Sequence, residues 1–230
     1  VWNDHAGNGI TVKDIHDRLF PALQTLSAKC WTGAATSFSF EDFNRLRLAL
    51  SEAPAVNEAA RWQKGKQLRI ETLNPGQTTG EKEVGYGYRV EFTIEGADEP
   101  KGTVLFSSDN ATFYLADPES GQLGFAHEGY LNKFNYRIEK GKKVTLTITG
   151  DNKKTCLYVD GKLREELGPI TLYAMQQKDL ATFQKSDATA TQPIVYNPSA
   201  KMHYQRTLVF PLQKAGDFKS RITGVKVEQE

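Results

Sequence analysis

The chain has 230 residues, of which 29 are Lys or Arg and 28 are Asp or Glu. Because these charges nearly cancel, we expect no nucleic-acid binding driven by a strong positive field. The mean hydropathy is −0.52, and no apolar run reaches about 18 residues, so no membrane-spanning helix is predicted. Two cysteines, Cys30 and Cys156, exclude a disulfide framework and a cysteine-rich zinc site, and we expect two free, buried thiols.

Residues 1–60 have the sequence pattern of α-helices. Thr11 can cap a first helix and Gly33 can end it. Pro21 removes a backbone donor inside this run, so we expect a kink or the start of another helix there. Trp31 is expected to lie in the core. The apolar residues that recur every three or four positions on one face are Ile15, Leu19, Leu23, Leu26 and Cys30.

A second helix is predicted after Ser39, which can serve as its N-cap, with Asp42 at the third helical position. Its apolar face is formed by Phe43, Leu46 and Leu50, and Pro54 follows its end. Two helices of this length cannot enclose a core by themselves. Their apolar faces must therefore pack on another part of the protein, and self-association through these faces is a further expectation.

From about residue 66 the pattern changes to the alternation that is typical of β-strands. Val90, Phe92 and Ile94 alternate with polar residues, which indicates a half-buried strand over 89–95. Asp160-Gly161 is the signal of a type I′ hairpin turn. A long loop is predicted over 176–192. Further strands are predicted at 104–106, 112–115, 122–126, 144–148, 156–159, 194–196, 206–210 and 222–228. Many short strands separated by turns indicate a β-sandwich or jelly roll.

The hairpin that contains Leu157-Tyr158-Val159-Asp160-Gly161 resembles a hairpin of concanavalin A-like and laminin G-like jelly rolls. This resemblance extends over residues 66–230, and it implies that they form a concanavalin A-like β-sandwich. The fold class that we predict is therefore mostly β, with a jelly-roll sandwich preceded by a short helical segment. All nine tyrosines fall in this part of the chain. Some could line a sugar-binding surface, although alternation places most in or beside the core.

Residues 1–60 resemble the end of the catalytic barrel in glycoside hydrolase family 20. The segment 2–4, Trp-Asn-Asp, is similar to the end of the last barrel strand in that family. The segments Asp14-Ile15, 18–21 and 29–31 are similar to its following helix, and 43–45 to its closing F-x-x-R motif. Two departures are Ala28, where the family usually has Glu, and Asp4 in place of Glu.

The resemblance implies that residues 1–60 are the last part of a (β/α)8 barrel whose parent enzyme is a β-N-acetylhexosaminidase. Such enzymes cleave terminal N-acetylhexosamine by a retaining mechanism in which the substrate's acetamido oxygen is the nucleophile, a known exception to the two-carboxylate scheme. Trp2 and Asp4 would then contact the sugar. The catalytic Asp-Glu pair of the family lies on an earlier strand, and Asp98-Glu99, the only such dipeptide here, is interpreted as a solvated turn. We therefore expect this chain to be inactive alone.

Alternative functions remain open at this point. The β part could be a non-catalytic carbohydrate-binding or laminin G-like interaction module, or a structural domain that supports the barrel. We expect no cofactor and no metal, because residues 108–110 and 151–152 offer oxygen ligands without EF-hand spacing and are better explained as turns. The partner implied by the resemblance is the parent enzyme's glycan substrate, and the parent is expected to be secreted, periplasmic or on a bacterial cell surface.

Overall fold

The computed structural model describes residues 12–33, 39–49, 62, 65–127, 130–173 and 201–229. The described residues form two α-helices and fifteen β-strands. The helices are α1 (Val12–Thr32) and α2 (Phe40–Ala49). The strands are β1 (Gln67–Leu73), β2 (Glu83–Val84), β3 (Tyr88–Glu95), β4 (Thr103–Ser107), β5 (Ala111–Ala116), β6 (Gly124–His127), β7 (Tyr130–Lys133), β8 (Lys143–Gly150), β9 (Thr155–Val159), β10 (Lys162–Leu167), β11 (Ile170–Tyr173), β12 (Lys201–Tyr204), β13 (Phe210–Pro211), β14 (Lys214–Ala215) and β15 (Arg221–Gln229).

The end of α1 and the start of α2 lie where the sequence predicts them, whereas Thr11, the predicted cap of α1, lies outside the described residues. Helix α1 continues through Pro21 as one element, and Gly33 follows it with φ of 65°, its N–H donating to the Lys29 carbonyl at 2.9 Å. Ser39 caps α2, because its Oγ accepts a hydrogen bond from the Asp42 N–H at 3.1 Å. The expectation that Trp31 lies in the core is wrong, since this residue at the end of α1 is 88% exposed.

A six-stranded antiparallel sheet has the order β1-β15-β3-β8-β9-β10. The C-terminal strand β15 lies between β1 and β3, so the two ends of the sandwich sequence meet in one sheet. Val90, Phe92 and Ile94 of β3 are fully buried and pair with buried residues of β8. Their polar neighbours along β3 therefore lie on the opposite, outer face of the sheet.

The five-stranded sheet β14-β4-β5-β6-β7 packs against the first sheet and completes the sandwich. Phe210 connects the two layers, since its ring centroid lies 5.7 Å from Tyr88 in the six-stranded sheet and 5.0 Å from Phe113 in the five-stranded sheet. The core cluster contains residues from Trp62 to Val227, and none from either described helix. The predicted fold class, a mostly β jelly-roll sandwich with a short helical segment before it, is thus confirmed.

Individual turns and strands agree with the sequence predictions to different degrees. The hairpin turn is confirmed, because Asp160 and Gly161 both have positive φ, 49° and 75°. The predicted strand 206–210 is wrong over most of its length, since residues 206–209 are irregular and only Phe210 begins a short strand. Four consecutive buried side chains, 207–210, cannot alternate between core and solvent. The predicted strand 194–196 and the loop 176–192 lie outside the described residues.

The cysteines differ in environment. Both are free, as expected, but only Cys156 is buried, whereas Cys30 on α1 is exposed. Burial raises the pKa of the Cys156 thiol, and the neighbouring Glu166 carboxylate adds to this effect. The expectation of two buried thiols is therefore wrong for Cys30. The expectation fails for Cys30 because the apolar face of α1 is partly exposed in the described structure, where Leu26 is 60% accessible.

Candidate functional site

The outer face of the six-stranded sheet carries a continuous set of polar side chains, which we call the polar face. Its central row crosses the whole sheet, because each member is the registered neighbour of the next on the adjoining strand. Directly opposed residues on one face of an antiparallel sheet lie about 5 Å apart at Cβ. The central row comprises Arg69, Lys226, Glu91, Thr147, Tyr158 and Leu163.

Glu91 lies at the middle of this row and is held by two neighbours. The Arg89 guanidinium donates to its Oε2 at 2.8 Å, and the Thr147 hydroxyl donates to the same oxygen at 3.1 Å. The hydrogen bond from Arg89 lowers the pKa of the Glu91 carboxyl below its ordinary value, and Thr147 and Lys226 act in the same direction. Glu91 is therefore a carboxylate near neutral pH, fixed in orientation at a side-chain exposure of 38%.

The second carboxylate oxygen of Glu91, Oε1, differs from Oε2 in its hydrogen bonding. Oε1 accepts no hydrogen bond from any residue that the structure describes. Because both donors bind Oε2, they orient the carboxylate while Oε1 keeps its acceptor capacity. This is the arrangement required for accepting a hydrogen bond from a ligand hydroxyl without first breaking an internal one.

Apolar surface adjoins this polar centre on the side of β9 and β10. Tyr158 is half-buried and pairs with Thr147, and Leu163 of β10, 55% exposed, pairs with Tyr158. An aromatic ring has an apolar body and a polar tip, so it can contact C–H groups while its hydroxyl remains hydrated. One row thus offers an oriented carboxylate, a hydroxyl and an aromatic side chain in succession.

Two further rows flank the central one. The second row comprises Gln67, Glu228, Arg89, Thr149, Cys156 and Glu166. The third row comprises Thr72, Thr223, Thr93 and Thr145. In the third row, the hydroxyls of Thr93 and Thr145 lie 3.2 Å apart and share a hydrogen bond. The polar face is therefore broad, with hydroxyl groups on several strands.

A groove of about 550 Å³ lies at the end of the second row. Its lining includes Lys154, Glu166 and Gln205. The Lys154 ammonium is 2.7 Å from Glu166 Oε2, and this hydrogen bond raises the pKa of Lys154 and lowers that of Glu166. A second groove, of about 540 Å³, lies at the β14–β4 edge of the other sheet and includes Val104 and Lys214.

The residues predicted from sequence to contact sugar, Trp2 and Asp4, lie outside the described residues, so their roles stay predictions. Asp98-Glu99 is interpreted from sequence as a solvated turn, and Asp98 is indeed exposed. Glu99 is instead half-buried, and its Oε1 accepts hydrogen bonds from the backbone of Lys219 and Ser220 at 2.9 and 2.7 Å. Asp151 likewise accepts from two backbone N–H groups of its own turn. These carboxylates stabilise loops.

Within the described ranges, no group of three or more His, Cys, Asp or Glu side chains could hold a metal ion. Neither of the two helices described is long and apolar enough to cross a bilayer. The candidate site is accordingly the polar face with its adjoining groove.

The central row was not recognised from sequence as a functional site. Arg89 and Glu91 were interpreted only as the solvent-facing half of a strand, which is correct but incomplete. A weak signal exists, because opposite charges two residues apart on a strand share a face. Lys226 and Tyr158 are distant in sequence, and only strand pairing brings them beside Glu91.

Comparisons with known proteins gave structural matches only. No family model matches the chain. No curated protein sequence matches it significantly. Domain 4 of AbnA, an extracellular GH43 arabinanase from Geobacillus stearothermophilus solved with arabinotriose, is 12% identical with a TM-score of 0.33, and the match covers 71% of this chain and 66% of that one. The galectin LEC-6 of Caenorhabditis elegans is 9% identical with a TM-score of 0.38, over 70% and 95% of the two chains.

A third match is the sialidase of Trypanosoma rangeli in complex with 2,3-difluorosialic acid. It is 16% identical with a TM-score of 0.35, and the match covers 76% of this chain but only 27% of the sialidase. The chain therefore spans about a quarter of that enzyme and 66% of the arabinanase domain. With identities and TM-scores this low, these matches do not establish a function for the chain.

Proposed function

We propose that the β-sandwich is a carbohydrate-binding domain and that the polar face around Glu91 is its binding surface. The observation that carries this proposal is the state of Glu91. Its carboxylate is oriented by Arg89 and Thr147 through Oε2, its side chain is 38% exposed, and Oε1 has no donor among the described residues. Structural support alone does not require an oriented, exposed acceptor of this kind.

The chemistry of the row suits a sugar ring. Ring hydroxyls can donate to Glu91 Oε1 in a charge-assisted hydrogen bond, which is stronger than one between neutral groups. Lys226 and Arg89 can donate to hydroxyl oxygens on the same ligand, since Lys226 is the registered neighbour of Glu91 on β15. Tyr158 and Leu163 supply apolar surface for the C–H face of the ring.

Binding to soluble glycans is the direct test of this proposal. The full chain is titrated calorimetrically with chitotriose, arabinotriose and lactose, and the best ligand is then measured with Glu91→Gln. This variant keeps the side-chain shape but removes the charge, so we expect a loss of about tenfold or more in affinity. Glu95→Gln, an exposed residue on the same strand and the same face, is the matched control and should bind as the wild type does.

Two results would contradict the proposal. Absence of measurable binding to all three glycans at millimolar concentration favours the structural alternative. Binding that is equal in wild type and Glu91→Gln would show that the sugar occupies another surface. In that case the groove at β14–β4, lined in part by Val104 and Lys214, is the next surface to examine.

We further propose that the parent protein is a β-N-acetylhexosaminidase of the family 20 type. This proposal is supported by the resemblance of residues 2–45 to the end of that family's barrel, and the helices it requires are present as α1 and α2. The parent would hydrolyse terminal N-acetylhexosamine with the substrate's acetamido group as nucleophile, and Trp2 and Asp4 would contact the sugar. The sandwich would then hold the glycan near the catalytic barrel.

The enzymatic proposal has a separate test. If this proposal is correct, the chain alone should not hydrolyse a chromogenic N-acetylglucosaminide, whereas a parent protein that includes a complete barrel should do so. A parent sequence without an Asp-Glu pair upstream of residue 1 would contradict the family assignment. That outcome would leave the carbohydrate-binding proposal for the sandwich unaffected.

A further inference from the structure

The two edges of the six-stranded sheet differ in how open they are. Strand β1 forms one edge and, among the described strands, pairs only with β15. Its side chains alternate between exposed and half-buried from Gln67 to Glu71, whereas Glu71 and Thr72 are both exposed and Leu73 is buried. No backbone hydrogen bond links β1 to any other residue in the described part of the chain. The alternating part of this edge strand, 67–71, leaves alternate N–H and C=O groups available to another strand.

The opposite edge, β10, is protected in ways that β1 is not. Its pairing with β9 is interrupted by a bulge between Leu163 and Glu165. The Arg164 guanidinium donates to the carbonyl of Asn135 at 3.1 Å, and the backbone N–H of Asn135 donates to Glu165. Bulges and edge contacts of this kind are common protections against strand addition. The contrast leaves β1 as the open edge.

The charges on β1 are self-complementary about its centre. Arg69 and Glu71 flank Ile70, and both are exposed. Arg69 contacts only Gln67, whose Oε1 it reaches at 2.9 Å, and Glu71 makes no hydrogen bond or ion pair with the described residues. If a second β1 lies antiparallel with Ile70 opposite Ile70, each Arg69 faces a Glu71 of the other copy. The twofold axis repeats this pair, so both charges on both strands are matched.

We propose that two copies of this chain associate through β1, edge to edge and antiparallel, with the twofold axis at Ile70. Leu68 and Ile70 are half-buried against the core, and the second copy covers more of their surface. Main-chain hydrogen bonds provide the affinity of such strand addition, and the two Arg69–Glu71 pairs determine its register.

The association has a functional consequence. Directly opposed residues of antiparallel strands lie on the same side of a sheet, so the polar faces of both copies point in one direction. Arg69, the last member of the central row, then lies opposite Glu71 of the second copy, so the two polar faces adjoin at the dimer axis. Two carbohydrate sites on one continuous surface can bind a branched or clustered glycan with increased avidity. This consequence depends on the proposed function, whereas the dimer itself does not.

Sedimentation of the full chain tests the dimer independently of any glycan. We expect a concentration-dependent shift from 25.7 kDa toward twice that mass. Arg69→Glu places acidic side chains opposite one another, and Glu71→Arg does the same with basic ones. Each single reversal should raise the dimer dissociation constant about tenfold or more. The double variant R69E/E71R restores complementarity and should return it toward the wild-type value.

Lys162→Glu is the matched control, because Lys162 is an exposed charge on the opposite edge strand. This variant should dimerise as the wild type does. A chain that remains monomeric up to about 0.1 mM would overturn the proposal. The proposal would also be overturned if both single charge reversals dimerised as the wild type does. It would equally be overturned if the double variant R69E/E71R did not recover the dimerisation lost in the single variants. A dimer that is lost on Leu26→Asp but retained in Arg69→Glu would instead assign the interface to the helices.

Discussion

Gly150 at the end of β8 is a position where even one methyl group should destabilise the sandwich. A Cβ at this residue would lie 2.4 Å from Tyr88 Oη, 2.5 Å from Cζ and 2.6 Å from Cε1. Two ring carbons and the phenolic oxygen are involved, so rotation of a flexible side-chain end cannot relieve the contact. Tyr88 is fully buried and packs on Phe210 at 5.7 Å, which blocks its retreat into the core.

We therefore expect Gly150→Ala to lower the free energy of unfolding by about 2 kcal/mol, the middle of the range for overpacked cores. For a unit of this size, 1 kcal/mol corresponds to a shift of about 2–4 °C in Tm, so the melting temperature should fall by about 4–8 °C. The measurement is thermal unfolding followed by near-UV circular dichroism, which reports the packing of buried aromatic side chains. Urea unfolding at fixed temperature provides an independent value.

Gly168→Ala is the matched control, because a Cβ there meets nothing within 4 Å and its backbone is not in the left-handed region. It should melt within about 2 °C of the wild type. If Gly150→Ala also melted within that interval, the argument that Tyr88 is immobilised between Gly150 and Phe210 would be refuted. Adding Tyr88→Phe should recover little stability, because the ring carbon contacts remain.

Three further predictions test other parts of the structure. The hydrogen bond from Arg89 lowers the pKa of Glu91 from its ordinary value of 4.5, so glycan affinity should be constant above pH 4.5 and fall only as the pH drops through the lowered pKa. Calorimetric titrations of the wild type and Glu91→Gln across this pH range test the expected profile. Ser39→Ala removes the cap of α2 and should cost about 1 kcal/mol of helix stability, seen as weaker far-UV helical dichroism than in the control Ser27→Ala. Deleting residues 1–60 should leave a soluble domain that unfolds cooperatively, since the described core begins at Trp62; an insoluble or molten product would refute the division of the chain near residue 66.

Local physical rules were sufficient for the elements whose residues mostly contact their own neighbours. The Ser39 cap, the Gly33 end of α1 and the Asp160-Gly161 turn each depend on φ preferences or hydrogen bonds within about four residues. The two faces of β3 can likewise be predicted from its sequence, because one face of that strand is buried throughout and the other is polar. From these elements the sequence alone indicated the mostly β sandwich.

Burial that depends on distant parts of the chain could not be predicted from local sequence patterns. A strand over 206–210 is predicted from sequence, yet consecutive side chains from Thr207 are buried and residues 206–209 form no ladder. Trp31 is also predicted to lie in the core, but the described core cluster is built from residues after the helices. Hydrophobicity indicates that a side chain gains from burial, not that a partner surface is present.

The candidate site and the open edge were decided by tertiary structure alone. Glu91 becomes an oriented acceptor because Thr147, 56 residues away in sequence, is its registered neighbour. Lys226 reaches the same row because β15 inserts between β1 and β3. Periodicity specifies which face of a strand is polar, but it contains no information about which strands adjoin. Strand order is set by the packing of the whole core, and it brings dispersed polar residues together on one surface.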